Sequence, residues 1–358
     1  MKHTIKAPTK AELIRKNRLI KFINLIISAV LKIKPLVLLF LILLIFANIG
    51  RAQDADDKEI IKVDTLLVNV PVIASDKDGR NVAGLKKENF TIFQDGKKQE
   101  IEFFADEDAP MNVAILVDSS YSTSKILGDI KEAARDFIKI FRAEDKGMIA
   151  SFDYKLKVLS EFTSEQNKLT KAINKISIAN KAGSAMQEAM FNVITQHFAN
   201  IKGRKAIIVL TDGAVGGGII SNQNLLDTLI ASDALIYPII FKSGEDLSRY
   251  FRPSKTVTMV DGKKMDGGEL LKQIEEANGR AMNFTKALGD LTGGKTFAAD
   301  STDLKETFQK IADELKKQYL VGFYPQNLDD GKPHKIEVKV NLENITVRTK
   351  KVVKISIY

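Results

Sequence analysis

The chain has 358 residues, of which 44% are hydrophobic and 28% are charged, which is enough for a sizeable core and about two domains. Its net charge of +9 comes from the N-terminal segment, because residues 1–52 carry ten Lys or Arg and one acid and leave 44 basic and 44 acidic residues in the rest. A neutral globular part lacks the positive surface that binds nucleic acid, and the absence of cysteine excludes disulfides and thiolate metal sites.

Residues 1–52 have the pattern of an export segment. The basic start precedes an apolar run, residues 36–47, and small residues follow at Gly50 and Ala52. This order predicts a secretory signal that is cleaved after Ala52. The alternative is an uncleaved membrane anchor, because residues 19–33 are also largely apolar. Both interpretations place residues 53–358 outside the cytoplasm, in the periplasm, the cell envelope or the medium.

Residues 53–110 are predicted to be an N-terminal β segment. Residues 66–73 are rich in β-formers. Residues 90–93 and 99–104 flank an Asp95-Gly96 pair, which predicts a hairpin with a tight turn. An acidic linker then leads to the next part of the chain.

Residues 111–320 alternate between strand and helix patterns, which is typical of a parallel sheet covered on both faces. The predicted strands are residues 113–117, 146–152, 206–210, 234–241 and 296–299, and the main predicted helices are residues 126–141, 186–201, 225–231, 269–291 and 303–315. The predicted fold class is therefore α/β, with a Rossmann-like, doubly wound, mostly parallel sheet. Pro238 lies inside the fourth strand and predicts a bulge, because an interior strand needs its backbone N–H.

Polar residues follow two of these strands where each one ends. Asp118-Ser119-Ser120-Tyr121-Ser122 follows the first strand, and Thr211-Asp212-Gly213 follows the third. Open α/β sheets bind ligands at the carboxyl ends of their strands. Carboxylate and hydroxyl oxygens suit a hard cation such as Mg²⁺. The alternative for Asp118 and Ser120 is that they cap the helix that follows.

These motifs resemble the metal-ion-dependent adhesion site of the von Willebrand factor A family, which has an Asp-x-Ser-x-Ser motif, a distant Thr and a later Asp. The matching residues are Asp118, Ser120, Ser122, Ser184 and Asp212. Ser184 stands where the family usually has Thr, so the oxygen is kept and the methyl group that restricts χ1 is lost. The resemblance covers residues 111–320.

The resemblance implies a role for each of these residues. Ser120 and Ser122 would bind the cation directly, Ser184 directly or through water, and Asp118 and Asp212 mainly through water. The implied cation is Mg²⁺, or another divalent cation such as Mn²⁺ or Ca²⁺. The implied partner is a protein with an exposed Asp or Glu whose carboxylate completes the coordination.

Residues 289–296 match the phosphate-loop pattern G-x-x-x-x-G-K-[ST]. A phosphate loop must leave a strand and begin a helix, whereas here a predicted helix precedes the motif and a predicted strand follows it. We expect the glycines to end the helix. The three histidines, His3, His197 and His334, accompany no Ser-Asp pair of a hydrolase triad. We therefore expect no enzymatic activity, and a nucleotide-binding enzyme is retained only as an alternative.

Residues 321–358 return to strand patterns and form the predicted C-terminal β segment. Each flank is too short to bury a core of its own, so we expect residues 53–110 and 321–358 to pack as one small β-sandwich around the inserted α/β domain. Two stretches, GLKKENFTIFQDGKKQEI and QYLVGFYP, resemble the flanks of bacterial exported proteins with a domain related to the von Willebrand factor A family. Residues 244–267 are predicted to be an insertion that contains a small hairpin.

The prediction is an exported binding protein that holds a protein partner through a divalent cation. The alternative is a structural protein of the cell envelope in which the metal only stabilises loops.

Overall fold

The computed structural model describes Lys21, Asn24 and residues 67–179, 183–213, 218–241, 258–260, 263–265, 267–325 and 331–354. Residues Met1–Asp64 form one compact unit and residues Thr65–Tyr358 another. The predicted signal or anchor, residues 1–52, lies outside the described residues apart from Lys21 and Asn24, which are helical and exposed. The helices that are described include none long and apolar enough to cross a membrane.

Strands and helices alternate through the middle of the second unit. The strands are β1 Val68–Ser75, β2 Phe90–Gln94, β3 Lys97–Gln99, β4 Phe103–Ala105, β5 Met111–Asp118, β6 Lys146–Phe152, β7 Leu156–Thr163, β8 Arg204–Thr211, β9 Ala234–Phe241, β10 Thr258–Val260, β11 Lys263–Met265, β12 Phe297–Ala299, β13 Gln318–Phe323, β14 Pro333–Val340, β15 Thr346–Thr349 and β16 Val352–Lys354. The α-helices are α1 Leu127–Lys139, α2 Gln166–Asn174, α3 Met186–Asn192, α4 Asn222–Ala231, α5 Gly267–Thr292 and α6 Leu304–Lys316.

The central sheet has six strands in the order β12-β9-β8-β5-β6-β7. All neighbouring pairs are parallel except β6 and β7. The predicted mostly parallel α/β sheet is therefore confirmed, and additional antiparallel sheets are present. The sequence pattern did not reveal β7, an edge strand with no fully buried residue.

Alternate residues of the central strands enter two different cores. Val113, Ile115 and Val117 of β5 pack with α1, α2 and α6 on one face. Ala114 and Leu116 pack with α3, α4 and α5 on the other. Every residue of β5 is buried, as expected of a parallel strand covered on both faces. This burial fixes the position of Asp118, the last residue of the strand.

The predicted bulge at Pro238 is wrong. β9 pairs with β8 in continuous register, with Pro238 opposite Val209. On its other side β9 pairs with β12 only from Ile239 onward. Because Pro238 has a single neighbouring strand at its own position, the missing N–H does not interrupt the second ladder.

Two four-stranded antiparallel sheets combine strands from both ends of the chain. Their orders are β15-β1-β13-β4 and β16-β14-β2-β3. Both sheets contribute to one apolar cluster that includes Val72, Ile92, Val321 and Val338. The domain boundaries at residues 52, 110 and 320 remain predictions.

The predicted hairpin at Asp95-Gly96 is present between β2 and β3, with Gln94 opposite Lys97. Asp95 and Gly96 both have positive φ, as a tight two-residue turn requires. The predicted second strand, residues 99–104, is divided. β3 stays in the hairpin, whereas β4 pairs with β13 in the other sheet.

The small hairpin predicted within residues 244–267 is also present. β10 pairs with β11, with Thr258 opposite Met265. The rest of the insertion before residue 258 lies outside the described residues.

Two buried cations connect the flanks to the α/β domain. Arg204 at the start of β8 is 1% exposed and donates to the carbonyl oxygen of Glu107 in the acidic linker at 3.1 Å. Lys350, after β15, is 2% exposed, and its Nζ donates to the carbonyl oxygens of Ile230 at 2.8 Å and Ser232 at 2.6 Å. The two bonds from Lys350 satisfy carbonyls at the end of α4 that have no partner within the helix.

Candidate metal centre

Asp118 is the centre of a hydrogen-bonded cluster at the carboxyl edge of the central sheet. Its side chain is fully buried. Its Oδ1 accepts from the backbone N–H of Ser120 at 2.9 Å. Its Oδ2 accepts from Ser184 Oγ at 2.9 Å and from Thr211 Oγ1 at 3.2 Å. The donors to Asp118 within the described chain are thus all neutral groups.

The serines of the motif at residues 118–122 make different contacts. Ser120 Oγ and Ser122 Oγ lie 2.9 Å apart, because a 3-10 turn, Tyr121–Thr123, brings the two hydroxyls together. Ser119 points elsewhere and donates its hydroxyl to the carbonyl oxygen of Phe152 at 3.0 Å. The alternative role predicted for Ser120, a helix cap, is not its role in the 3-10 turn, since its side chain makes no cap hydrogen bond there.

Ser184 reaches Asp118 from a distant part of the chain. It is 4% exposed and lies just before α3. The N–H of Ala185 donates to the carbonyl oxygen of Asp153 at 2.6 Å, which fixes this segment against the loop after β6. With the segment fixed in this way, the Ser184 hydroxyl is placed beside Asp118, although Ser184 lacks the methyl group of the usual threonine.

Asp212 follows Thr211 at the end of β8 and is partly buried. The strand before it is in register with β5, with Leu210 opposite Val117. The next residue, Gly213, has φ +77° and donates its N–H to Thr211 Oγ1 at 3.0 Å. A Cβ at this position would lie 2.8 Å from Met282 Cε, the end of a flexible side chain, so the positive φ is the main reason for glycine here.

The electrostatic balance at Asp118 favours a cation. Burial raises the pKa of its carboxyl above the ordinary value, hydrogen bonds from Ser120 and Ser184 partly oppose this shift, and the negative charge of Asp212 adds to it. Asp212 is therefore within electrostatic reach of Asp118. A cation between two carboxylates lowers the cost of ionising both.

The donor set fits a hard divalent cation. Asp118, Ser120, Ser122 and Ser184 are linked by two side-chain hydrogen bonds and by the backbone N–H of Ser120, which donates to Asp118. Oxygen ligands of this kind suit Mg²⁺, Mn²⁺ or Ca²⁺ and not a soft metal. The described residues contain no group of three or more His, Cys, Asp or Glu that could hold a metal, so the fit depends on the serines.

Sequence reasoning missed Thr211 as part of this cluster. It is fully buried, accepts from Gly213 and donates to Asp118. The available signal was a polar residue at the end of an otherwise apolar buried strand, directly before the predicted Asp212. Thr211 positions the carboxylate of Asp118.

The phosphate-loop pattern lies where the sequence order predicted. The last turn of α5, which ends at Thr292, contains the first half of the pattern, Gly293 follows with φ +83°, and β12 comes after the pattern. The order is therefore helix, loop and strand, opposite to that of a phosphate loop.

A family comparison identifies the domain that carries the cluster. Residues 113–214 match the family model of the von Willebrand factor type A domain. The chain contains a von Willebrand factor type A domain. All five residues that the sequence predicts as metal ligands lie within the matched part of this domain, and the narrower bacterial exported group remains a prediction.

Several solved structures are similar to the chain. BatB from Bacteroides thetaiotaomicron is 18% identical with a TM-score of 0.37, over 58% of this chain and 100% of that one. The vWF domain of the type V pili tip protein Mfa5 from Porphyromonas gingivalis is 12% identical with a TM-score of 0.39, over 57% and 94%. Proximal thread matrix protein 1 from the mussel byssus, with a zinc-occupied MIDAS motif, is 12% identical with a TM-score of 0.43, over 62% and 48%. A search of curated proteins gave no match.

Proposed function

We propose that this protein is an exported, non-enzymatic binding protein. Its von Willebrand factor type A domain would hold a divalent cation through Asp118, Ser120, Ser122, Ser184 and Asp212 and use it to bind a carboxylate of a protein partner. The observation that supports the proposal is the hydrogen-bonded cluster of oxygen side chains around Asp118, which comes from three separate segments of the matched domain.

The side chains of the cluster would divide the work. Ser120 and Ser122 offer neutral oxygens 2.9 Å apart, and Ser184 holds Asp118 in place. A bound cation would supply the positive charge that attracts a partner carboxylate. Because the direct ligands would be mainly neutral hydroxyls, the open face of the cation would still attract a carboxylate.

The proposed export of the protein implies that its partner is extracytoplasmic. The basic residues that give the chain its net charge belong to residues 1–52, and the rest is neutral and free of cysteine. A neutral body with a local cation site favours a partner chosen by one carboxylate and its surroundings, not by a general charge field.

The first experiment compares two adjacent serines. Ser120→Ala removes a predicted ligand, whereas Ser119→Ala removes a hydroxyl that donates to Phe152 instead. We expect the parent protein and Ser119→Ala to show a rise in melting temperature with Mg²⁺, and Ser120→Ala to show a smaller rise or none. Equal Mg²⁺ shifts in all three proteins would contradict the metal site.

The second experiment tests the partner. Pull-downs from the native envelope with the parent protein are compared in Mg²⁺ and in EDTA, with Asp118→Ala as the variant that lacks the central carboxylate. We expect a bound protein in Mg²⁺ alone, and none with the variant. A partner that stays bound in EDTA would support the structural envelope protein in which the metal only stabilises loops.

A further inference from the structure

Half of the exposed large apolar side chains among the described residues lie on loops near the candidate metal centre. Six large hydrophobic residues are exposed among the described residues. Three of them, Tyr121 at 66%, Tyr154 at 39% and Ile219 at 90%, lie on loops at the carboxyl edge of the central sheet. The other three are Phe103, Tyr324 and Leu342, which lie in or next to the flanking antiparallel strands. Single exposed apolar residues are ordinary, but a cluster beside a site is typical of a binding surface.

Backbone contacts at or next to each of the three residues place it near the candidate site. Tyr121 lies between Ser120 and Ser122. Tyr154 follows Asp153, whose carbonyl oxygen accepts from Ala185 at 2.6 Å, next to Ser184.

Ile219 comes to the same place from the loop after β8. Its N–H donates to Glu188 Oε2 at 3.0 Å, in the first turn of α3. The adjacent Gly218 approaches the same turn closely, since a Cβ there would lie 3.2 Å from Ala185 Cβ. Three separate loops therefore present apolar side chains next to the predicted ligands.

We propose that Tyr121, Tyr154 and Ile219 form an apolar rim that selects a protein segment whose metal-bound Asp or Glu is flanked by apolar side chains. The inference rests on the proposed function and specifies its partner. Tyrosine offers apolar area with a polar end and little conformational entropy to lose, which makes it frequent in interfaces. A small carboxylate would contact the cation alone and leave this rim uncovered.

The charges near the rim also fit an acidic segment. Lys155 is exposed, and its Nζ lies 5.5 Å from the centre of the Tyr154 ring. Backbone N–H groups hold two of the carboxylates nearby, since Asp153 Oδ1 accepts from Lys155 and Glu188 Oε2 accepts from Ile219. A positive side chain at the rim complements a partner whose central residue is acidic.

The test uses three synthetic peptides and fluorescence anisotropy in Mg²⁺. One peptide has a central Glu flanked by Leu and Phe, the second has the same Glu flanked by Ser, and the third has Gln flanked by Leu and Phe. The rim variant is Tyr154→Ser with Ile219→Ser, which leaves Tyr121 in place because that residue lies between two predicted ligands. The matched control is Tyr324→Ser with Leu342→Ser, a similar pair at 44% and 47% exposure on the flanks.

We expect the full-length protein to bind the apolar Glu peptide at least about fivefold more tightly than the other two, as one interface side chain can contribute that factor. The rim variant loses the preference over the Ser-flanked peptide, the control variant keeps it, and both keep the Mg²⁺ melting shift. A parent protein that binds all three peptides alike, or none, overturns the rim, as does a preference that survives in the rim variant. A parent protein without any Mg²⁺ shift overturns the proposed function and the rim together, so the two failures are distinguishable.

Discussion

A fully buried carboxylate is costly unless neighbours solvate it, and Asp118 depends on three donors for this purpose. Ser120, Ser184 and Thr211 each donate one hydrogen bond to it. Of these, Thr211 lies on a rigid central strand and is itself held by Gly213. A preorganised carboxylate binds a cation with less ordering cost, because its orientation is already set.

Replacement of Thr211 by Val tests this positioning role. The variant keeps the shape but removes the hydrogen bond to Asp118 and the one accepted from Gly213, so we expect the free energy of unfolding to fall by about 2 kcal/mol and Mg²⁺ affinity to fall by about fivefold. Thr228→Val is the control, since Thr228 is also buried but donates to the carbonyl oxygen of Asn224 in its own helix. Calorimetric titration measures the Mg²⁺ affinity, and urea unfolding in EDTA measures the free energy of unfolding. An unchanged Mg²⁺ affinity in Thr211→Val would assign the threonine a purely structural role.

The raised pKa of Asp118 predicts how metal stabilisation depends on pH. Since burial raises the pKa in the folded state, the metal-free protein gains stability from this group at low pH and loses it as pH rises through the folded pKa. A cation binds the ionised form, so the Mg²⁺ melting shift should increase over the same rise in pH.

Melting curves with Mg²⁺ and with EDTA across the acid range check this dependence. Asp118→Asn is the matched variant, because it keeps the size of the side chain and cannot ionise. We expect it to lack both the loss of metal-free stability with rising pH and the growing Mg²⁺ shift. A Mg²⁺ shift that is constant across the acid range in the parent protein would count against Asp118 as the titrating group.

The motif and its order were readable from the sequence, but the contacts were not. Asp118 and Asp212 could be placed at one sheet edge because both end parallel strands, which the hydrophobic runs mark clearly. Ser184 follows no strand, so its position beside Asp118 could be expected only from the family resemblance, which implied a metal ligand and not this hydrogen bond. Thr211 escaped notice because a pattern of residue types does not show which side chain of a strand faces a neighbouring carboxylate.

At the scale of elements, strong periodicity predicted the buried strands and the amphipathic helices. The exceptions are helix α2, Gln166–Asn174, which the sequence analysis missed, and two strands whose local signals are weak. β7 carries no fully buried residue, and β4 leaves the hairpin to pair with β13. A local pattern cannot specify a strand whose only strong determinant is a distant neighbour.

The end of α4 illustrates an element that is completed by a distant residue. The Nζ of Lys350 donates to two carbonyl oxygens at this end, and burial lowers the pKa of its ammonium from 10.5 to about 8. A cation near a helix C-terminus is favourable, yet its burial is costly. The helix end and the two hydrogen bonds therefore stabilise the charged ammonium of Lys350, whereas its burial destabilises it.

The lowered pKa of Lys350 predicts the direction in which the free energy of unfolding changes with pH. Between about pH 8 and pH 10.5 the unfolded chain binds more protons at Lys350 than the folded chain, so the free energy of unfolding should rise with pH relative to Lys350→Met. Urea unfolding at about pH 7.5 and about pH 10 gives the difference. Lys354→Met, which removes a partly exposed ion pair with Asp227, is the control. A wild-type advantage that does not grow with pH would contradict the buried ammonium.

At the scale of the whole second unit, the two ends of the chain complete each other's sheets. β1 pairs with β13 and β15, and β2 pairs with β14. Neither end offers enough strands for a core by itself. The two ends, which flank the α/β domain in sequence, therefore have to pair with each other to be stable. This arrangement explains why the flanks could be predicted to pack together from their length alone, whereas the register could not.

Because the chain lacks cysteine, an engineered pair can test that register without competing thiols. Thr91 of β2 lies opposite Lys339 of β14, and directly paired strand positions meet the roughly 4–7 Å Cα separation that a disulfide needs. We expect Thr91→Cys with Lys339→Cys to form an intrachain disulfide on mild oxidation, seen as a mobility shift without reductant, and to keep the Mg²⁺ melting shift of the parent. The control, Thr91→Cys with Lys335→Cys, is four residues out of register, a displacement of about 13 Å along the strand. If both pairs cross-link equally, or only the control does, the two ends of the chain do not pair in this register, and the sandwich that they form must be redrawn.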